Sequence, residues 1–366
     1  MTKSAHEHDK HLELKTPPRD PTLRWLSPTS PLLSVQGLYW FKSNRGSFSR
    51  FPLSAKSSLR PPVWDLAQCP AGGCIAFRSD TTVLRVRVTN RDTSHMPHMP
   101  LSGSNGLSLY AGQPGALRPW GSAIPDMTNP WFEREFFNGI KPAMRDYRIY
   151  LPLYHPLQAL EIGISKRARL LKPTPPVIAK PVVFYGTSIT QGGCASTAGS
   201  DFISIMGRLL NLNMINLGFS GNGQGDIEVA RLMAGMNASL FALDYLSNVN
   251  PEKLRETLDP FYKTLRNHHP KTPILLVSPV CFWQADFKPE SIRDQELKRD
   301  ILISFYAQKR TAGDTAIHFA DAFDMLHFAA GAAYVDGVHP TDAGFSLLAH
   351  RLAPVLQRIL LRNVIC

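Results

Sequence analysis

The chain has 366 residues, 43% hydrophobic and 19% charged, with 40 Lys and Arg against 29 Asp and Glu for a formal charge of +11. That length exceeds what one hydrophobic core usually serves and predicts two domains; no apolar run approaches the roughly 18 residues of a membrane span. The basic residues are scattered, with no recognition-helix, zinc-finger or ribonucleoprotein signature, so the charge reads as a solvated surface rather than a nucleic-acid footprint.

Five cysteines stand at 69, 74, 194, 281 and 366, an odd count at irregular spacing that is no disulfide framework. Cys69 and Cys74, separated by Pro-Ala-Gly-Gly, are spaced to bridge across a hairpin, but no second pair completes a zinc site. The first 20 residues are charged and His-rich without the apolar core of a signal peptide. As written the chain is expected to be cytoplasmic; a chain whose leader had been removed would look the same.

Residues 1–28 read as a flexible N-terminal segment. From 29 to 171 the pattern is short alternating segments punctuated by Pro, Gly and Ser. In Val83–Val88, Leu84, Val86 and Val88 alternate with Arg85 and Arg87, predicting apolar side chains toward a core and arginines toward water. Tyr147, Ile149 and Leu151 repeat the period, as do Leu160, Ile162 and Ile164. Several such strands predict an all-β, jelly-roll-like sandwich. Lys172-Pro173-Thr174-Pro175-Pro176 follows as a stiff linker, since each proline fixes φ and removes a donor.

From 178 to 366 the grammar changes. Apolar strands are predicted at 182–185, 214–217, 240–243, 274–277 and 316–319, with helices at 200–210, 227–236, 251–268, 290–312 and 342–361 between and after them. Regular alternation of strand and helix predicts an α/β domain, a parallel five-stranded sheet covered on both faces in three flavodoxin-like layers. Ligands of such sheets bind beyond the carboxyl ends of the strands.

The chemistry-bearing residues fall at those ends. The first strand runs into Gly186-Thr187-Ser188-Ile189-Thr190-Gln191-Gly192, which leaves a serine exposed between strand and helix. The second ends in Asn216-Leu217-Gly218-Phe219-Ser220-Gly221-Asn222-Gly223, a glycine-rich turn that lacks the P-loop lysine and the dinucleotide spacing. The third ends in Asp244-Tyr245-Leu246-Ser247-Asn248. Before the last helix stands Asp336-Gly337-Val338-His339-Pro340, where an Asp three residues before a His can orient the imidazole. Singly, each block has a bland reading: a turn serine, a tight loop, a helix cap.

As an ordered set the blocks resemble the SGNH (GDSL-like) hydrolase family over about half the chain. The resemblance implies Ser188 as nucleophile, His339 as general base and Asp336 as third triad member. Ser188, Gly221 and Asn248 would form the oxyanion hole, with no metal or organic cofactor. Thr187 stands where the family pattern has Asp, and the third block departs from Gly-x-Asn-Asp, so Asn250 competes with Asn248. An all-β domain ahead of such a hydrolase resembles a subgroup of bacterial esterases, several acting on carbohydrates.

Other side chains carry open alternatives. Trp283, after the fourth strand, is expected to wall the substrate site, whereas Trp120 and Trp131 divide between core filling and sugar stacking. His95 and His98 in His-Met-Pro-His-Met-Pro are spaced as a metal pair or lie in a loop over the active site. Cys194 reads as a buried small hydrophobe or a second nucleophile. The function expected is hydrolysis of short acyl esters, acetyl foremost, on a small molecule or oligosaccharide, without nucleic-acid or membrane partners. A lipase or thioesterase of the same fold, and a non-catalytic carbohydrate-binding protein, are the alternatives. Oligomeric state is not legible.

Overall fold

The computed structural model describes residues 14–282, 287–326 and 332–360. Ten strands form the N-terminal β region: β1 Leu23–Leu26, β2 Ser34–Gln36, β3 Cys74–Ser79, β4 Val83–Asn90, β5 Leu107–Gly112, β6 Arg118–Ala123, β7 Trp131–Asn138, β8 Arg145–Tyr150, β9 Leu157–Ser165 and β10 Leu170–Leu171. Two short helices, α1 Pro61–Ala67 and α2 Leu101–Ser104, interrupt them. One sheet runs β1-β9-β4-β7 and the other β10-β3-β8-β5-β6, with β2 paired to β3. Every pairing within these two sheets is antiparallel.

The alternation read from the sequence sets the sandwich core. Leu84, Val86, Val88, Ile149, Ile162 and Ile164 are buried in one cluster between the sheets. Two expectations fail. Leu23–Leu26, inside the segment read as flexible, is an edge strand on β9. Arg85 does not face water but is 2% exposed. It pairs with Glu135 (2.7 Å) and Glu133 (3.5 Å) on the neighbouring strand and donates to the Pro18 carbonyl (2.7 Å). Burial of a charge is tolerable because carboxylates and a carbonyl replace its water. The spacing of Cys69 and Cys74 also produces no bridge: both thiols are buried and free, and burial pushes each up to about 11.

The α/β region holds the remaining elements: β11 Val182–Gly186, α3 Ser188–Gln191, α4 Phe202–Leu209, β12 Met214–Gly218, α5 Ile227–Ala234, β13 Leu240–Asp244, α6 Pro251–His268, β14 Ile274–Val277, α7 Pro289–Thr311, β15 Ile317–Ala320 and α8 Asp342–Leu360. Its five strands are parallel in the order β12-β11-β13-β14-β15, the flavodoxin-like 2-1-3-4-5 arrangement. Alternation on β11 divides two cores: Val183 and Tyr185 join the helices α5, α6 and α7, while Val182 and Phe184 join α4 and α8. Among the described residues no helix is long and apolar enough to cross a membrane.

The two regions share their interiors. Phe51, Ala55, Leu59, Val63 and Ala67 precede the main sandwich strands yet belong to the core around Tyr185 and Phe219. Phe51 stacks on Phe219 at 5.3 Å between ring centroids, and burying such a ring contributes about 2–3 kcal/mol. The proline segment is clamped as well: Thr174 donates twice to the Asp146 carboxylate (2.9 Å each) and Asn211 donates to the Pro175 carbonyl (2.9 Å).

Candidate active site

The turn after β11 is shaped by its own side chains. Thr187 caps α3: its hydroxyl accepts from the Ile189 N–H (3.3 Å), while the Thr190 hydroxyl accepts from the Thr187 N–H (3.2 Å). A threonine does here what an N-cap aspartate would do, which accounts for its presence before the serine. Gly186 is required by space, since a Cβ there would lie 2.0 Å from Thr190 Oγ1. Ser188 thereby becomes the first residue of a helix at the carboxyl edge of the sheet, buried but for 8% of its surface.

His339 reaches that serine from the loop before α8. Its Nε2 lies 2.9 Å from Ser188 Oγ, and its Nδ1 lies 2.7 Å from Asp336 Oδ2. Asp336 Oδ1 accepts the backbone N–H groups of Val338 (3.0 Å) and His339 (2.8 Å), closing one turn on itself. Burial alone would raise the Asp336 carboxyl; these N–H groups and the imidazole outweigh it and hold the group below the usual carboxylate range. An ionised carboxylate only accepts, so Nδ1 carries the proton and Nε2 presents a lone pair to the serine hydroxyl.

The second and third loops stand beside this array. Gly221 has φ +65, a left-handed conformation, and a Cβ there would meet nothing within 4 Å, so its backbone borders open space. Asn248 ends a single 3₁₀ turn and donates from Nδ2 to the Phe219 carbonyl (3.2 Å), two residues before Gly221. Asn250 is otherwise employed: its side chain accepts from Lys253 N–H (2.8 Å) as the cap of α6. Trp283 lies outside the described residues. Trp120 donates to the Phe136 carbonyl (2.9 Å) and packs on Phe137, within the β region.

Several residues that local reading passed over hold these loops. Within the blocks already quoted, Gln191 bridges the Ser220 N–H (3.0 Å) and the Leu153 carbonyl (3.1 Å), and Asn216 donates to the Thr190 carbonyl (2.6 Å). Asp244, at the end of β13, accepts from Thr190 Oγ1 (2.8 Å); burial pushes its carboxyl up to about 7 against the opposing effect of that hydrogen bond. From the β region, Arg60 donates to both Asp226 oxygens (2.5 and 3.1 Å), to Asn222 Oδ1 (3.1 Å) and to the Asn222 carbonyl (2.8 Å). Arg50, 1% exposed, donates to the carbonyls of Asn216 (3.1 Å), Gly218 (2.6 Å) and Leu66 (2.8 Å) with its guanidinium over the Phe219 ring. Two arginines thus grip both ends of the Gly221 loop. Nothing in the local pattern around either marks it out.

Cys194 sits beneath the array. Its sulfur, an Asp336 oxygen and a His339 nitrogen lie within 4.8 Å of one another. Both imidazole nitrogens are already bonded, and burial, with the nearby Asp336 charge, pushes the thiol up to about 11. Cys194 is therefore a neutral packing group rather than a thiolate. Of the two histidines in the 95–100 segment, His98 turns its ring toward His339, with centroids 6.4 Å apart.

A 2-1-3-4-5 parallel sheet whose carboxyl edge carries these blocks belongs to an α/β ester hydrolase. The chain belongs to the SGNH (GDSL-like) hydrolases, in the subgroup with an N-terminal β domain: residues 179–357 match the GDSL-like lipase/acylhydrolase family, and residues 23–170 match the N-terminus of SGNH-hydrolase-type esterases. Among solved structures it is similar to a protein described as a GDSL-like lipase from Bacteroides ovatus ATCC 8483, at 27% identity and TM-score 0.84 over 92% of this chain and 98% of that one. It shares its fold with the salicylyl-acyltransferase SsfX3 of a tetracycline biosynthetic pathway (22% identity, TM-score 0.74, 93% and 100% covered). It does so too with a family two carbohydrate esterase from Cellvibrio japonicus (12%, 0.60, 92% and 98%). No curated protein sequence matches the chain.

Proposed function

We propose that this esterase removes short acyl groups, acetyl foremost, from a carbohydrate, with Ser188 as nucleophile. The observation that carries the reading is the continuous array Ser188 Oγ–His339 Nε2 (2.9 Å) and His339 Nδ1–Asp336 Oδ2 (2.7 Å). His339 takes the Ser188 proton as the oxygen attacks the ester carbonyl, then returns it to the departing alcohol. Asp336 fixes the tautomer and steadies the imidazolium. The Ser188 and Gly221 N–H groups and the Asn248 amide hold the tetrahedral oxyanion, each worth about 3 kcal/mol. Water releases the acyl group in a second, equivalent step.

One likeness supports a sugar as the carrier of the acyl group. A family two carbohydrate esterase from Clostridium thermocellum, solved with cellohexaose, shares the fold at TM-score 0.55. The test is hydrolysis of acetyl, butyryl and octanoyl p-nitrophenyl esters and of acetylated xylo-oligosaccharides by the native chain and Ser188→Ala. The expected outcome is activity that falls with chain length and drops about 10⁴-fold or more in the variant. Equal rates for the two proteins would remove the nucleophile, and a preference for octanoyl would remove the short-chain reading.

A further inference from the structure

We infer that His98, a residue of the β region, is a specificity residue that hydrogen-bonds a hydroxyl on the alcohol half of the ester. The inference rests on the proposed roles of Ser188 and His339.

The alcohol must leave along His339, because Nε2 is the atom that returns the proton to it. The His98 ring stands beside that imidazole: its centroid is 6.4 Å from that of His339, inclined by 50°, and the residue is exposed. At that separation a hydroxyl neighbouring the scissile ester can meet the His98 ring while His339 serves the departing oxygen itself. A neutral imidazole offers one donor and one acceptor, so a hydroxyl suits it in either sense.

The loop that carries this ring is anchored on both sides of it. Met99, beside His98, is 6% exposed in the core that includes Ile189, Cys194 and Ala195. Ser102 donates to the Ser196 carbonyl (2.6 Å) and its own carbonyl accepts from Ala198 N–H (3.2 Å). Ser196 in turn donates from its N–H (2.8 Å) and its hydroxyl to Asp342, three residues past His339. Gly103 permits the approach, since a Cβ there would lie 2.2 Å from the Ala195 carbonyl oxygen. At the other end Asn105 donates to the Ser94 carbonyl (2.8 Å). The loops carrying His98 and His339 are thus tied to each other through one chain of hydrogen bonds, as a preorganised subsite requires.

The test compares esters with one acyl group and different alcohols: methyl xyloside monoacetate, whose alcohol carries neighbouring hydroxyls, and p-nitrophenyl acetate, whose alcohol carries none. For His98→Ala, kcat/KM is expected to fall about tenfold on the xyloside ester and to stay within about twofold on p-nitrophenyl acetate, with His98→Gln recovering part of the loss. A fall of equal size on both esters would assign His98 a merely structural role, and no change on either would show that it does not meet the substrate; both overturn the inference. Ser188→Ala, run alongside, separates the outcomes: residual turnover there would sink the nucleophile, whereas the ratio between the two esters judges His98 alone.

Discussion

In the α/β region every member of the candidate site lies within a few residues of a strand end or helix start, and the sheet brings blocks as far apart as Ser188 and His339, 151 residues, to one edge. The β region reaches the same site over similar distances along the chain but from outside that sheet: Arg60 is 162 residues from Asn222, and Arg50 is 166 from Asn216. One region holds the candidate reacting groups at the ends of its strands and helices; the other holds their loops from outside the sheet. The Gly221 loop shows the division: it belongs to the α/β region, and Arg50 and Arg60 clamp it from the β region.

The comparison breaks if the array at the sheet edge is dispensable. Asp336→Asn is expected to lower kcat about 10³–10⁴-fold with KM little changed, because the amide favours the wrong imidazole tautomer. A loss under tenfold, measured with p-nitrophenyl acetate, would make Asp336 only a loop brace. The next effect tests the clamps from the β region. Arg50→Ala strands the carbonyls of Leu66, Asn216 and Gly218 in a buried place, and urea unfolding is expected to show a loss of about 3–5 kcal/mol. A loss below about 1 kcal/mol would mean that the regions are less integrated than their shared core implies.

Two asparagines sharpen the comparison within one loop. Asn248→Ala is expected to cost about a hundredfold in kcat with little change in stability. Asn250→Ala is expected to leave kcat within about twofold and to cost about 1 kcal/mol of stability, since only the α6 cap is lost. Reversal of that pattern would exchange their roles.

The last test concerns Asp244. Its folded-state carboxyl titrates near 7, above the usual 3.8, so between about pH 4 and 7 the unfolded chain releases a proton that the folded chain keeps. Stability therefore falls as pH rises through that window and stays lower above it. Asp244→Asn keeps an acceptor for Thr190 and is expected to flatten this part of the stability–pH curve. An unchanged slope would assign the fall to another group.

What was legible in the sequence follows the same division. The five parallel strands lie close to the apolar runs, because each is short, buried on both faces and bounded by turn residues. Ser188 and His339 were legible as candidates only through the order of their blocks, which resembles a known family; each block alone reads as a turn or a cap. The β region was legible where alternation was clean, in β4 and β9, and not where it failed. Strand β1 is a four-residue edge with Arg24 in its middle, and β6, Arg-Pro-Trp-Gly-Ser-Ala, contains both residues that ordinarily break strands. Arg85 was misread because alternation marks which face a side chain takes, not what covers that face. Arg50 and Arg60 had no local signature, since their partners are brought to them only by the fold.

The mixed core around Phe51 and Phe219 has a consequence for descent. A lineage built this way cannot trade its β region for another as a detachable module, because the recipient sheet would lose ring contacts, carbonyl partners and a loop clamp at once. Change in such a lineage should enter one side chain at a time. The segment carrying His98 is where that change can alter what is recognised while leaving the bond-breaking residues as they were.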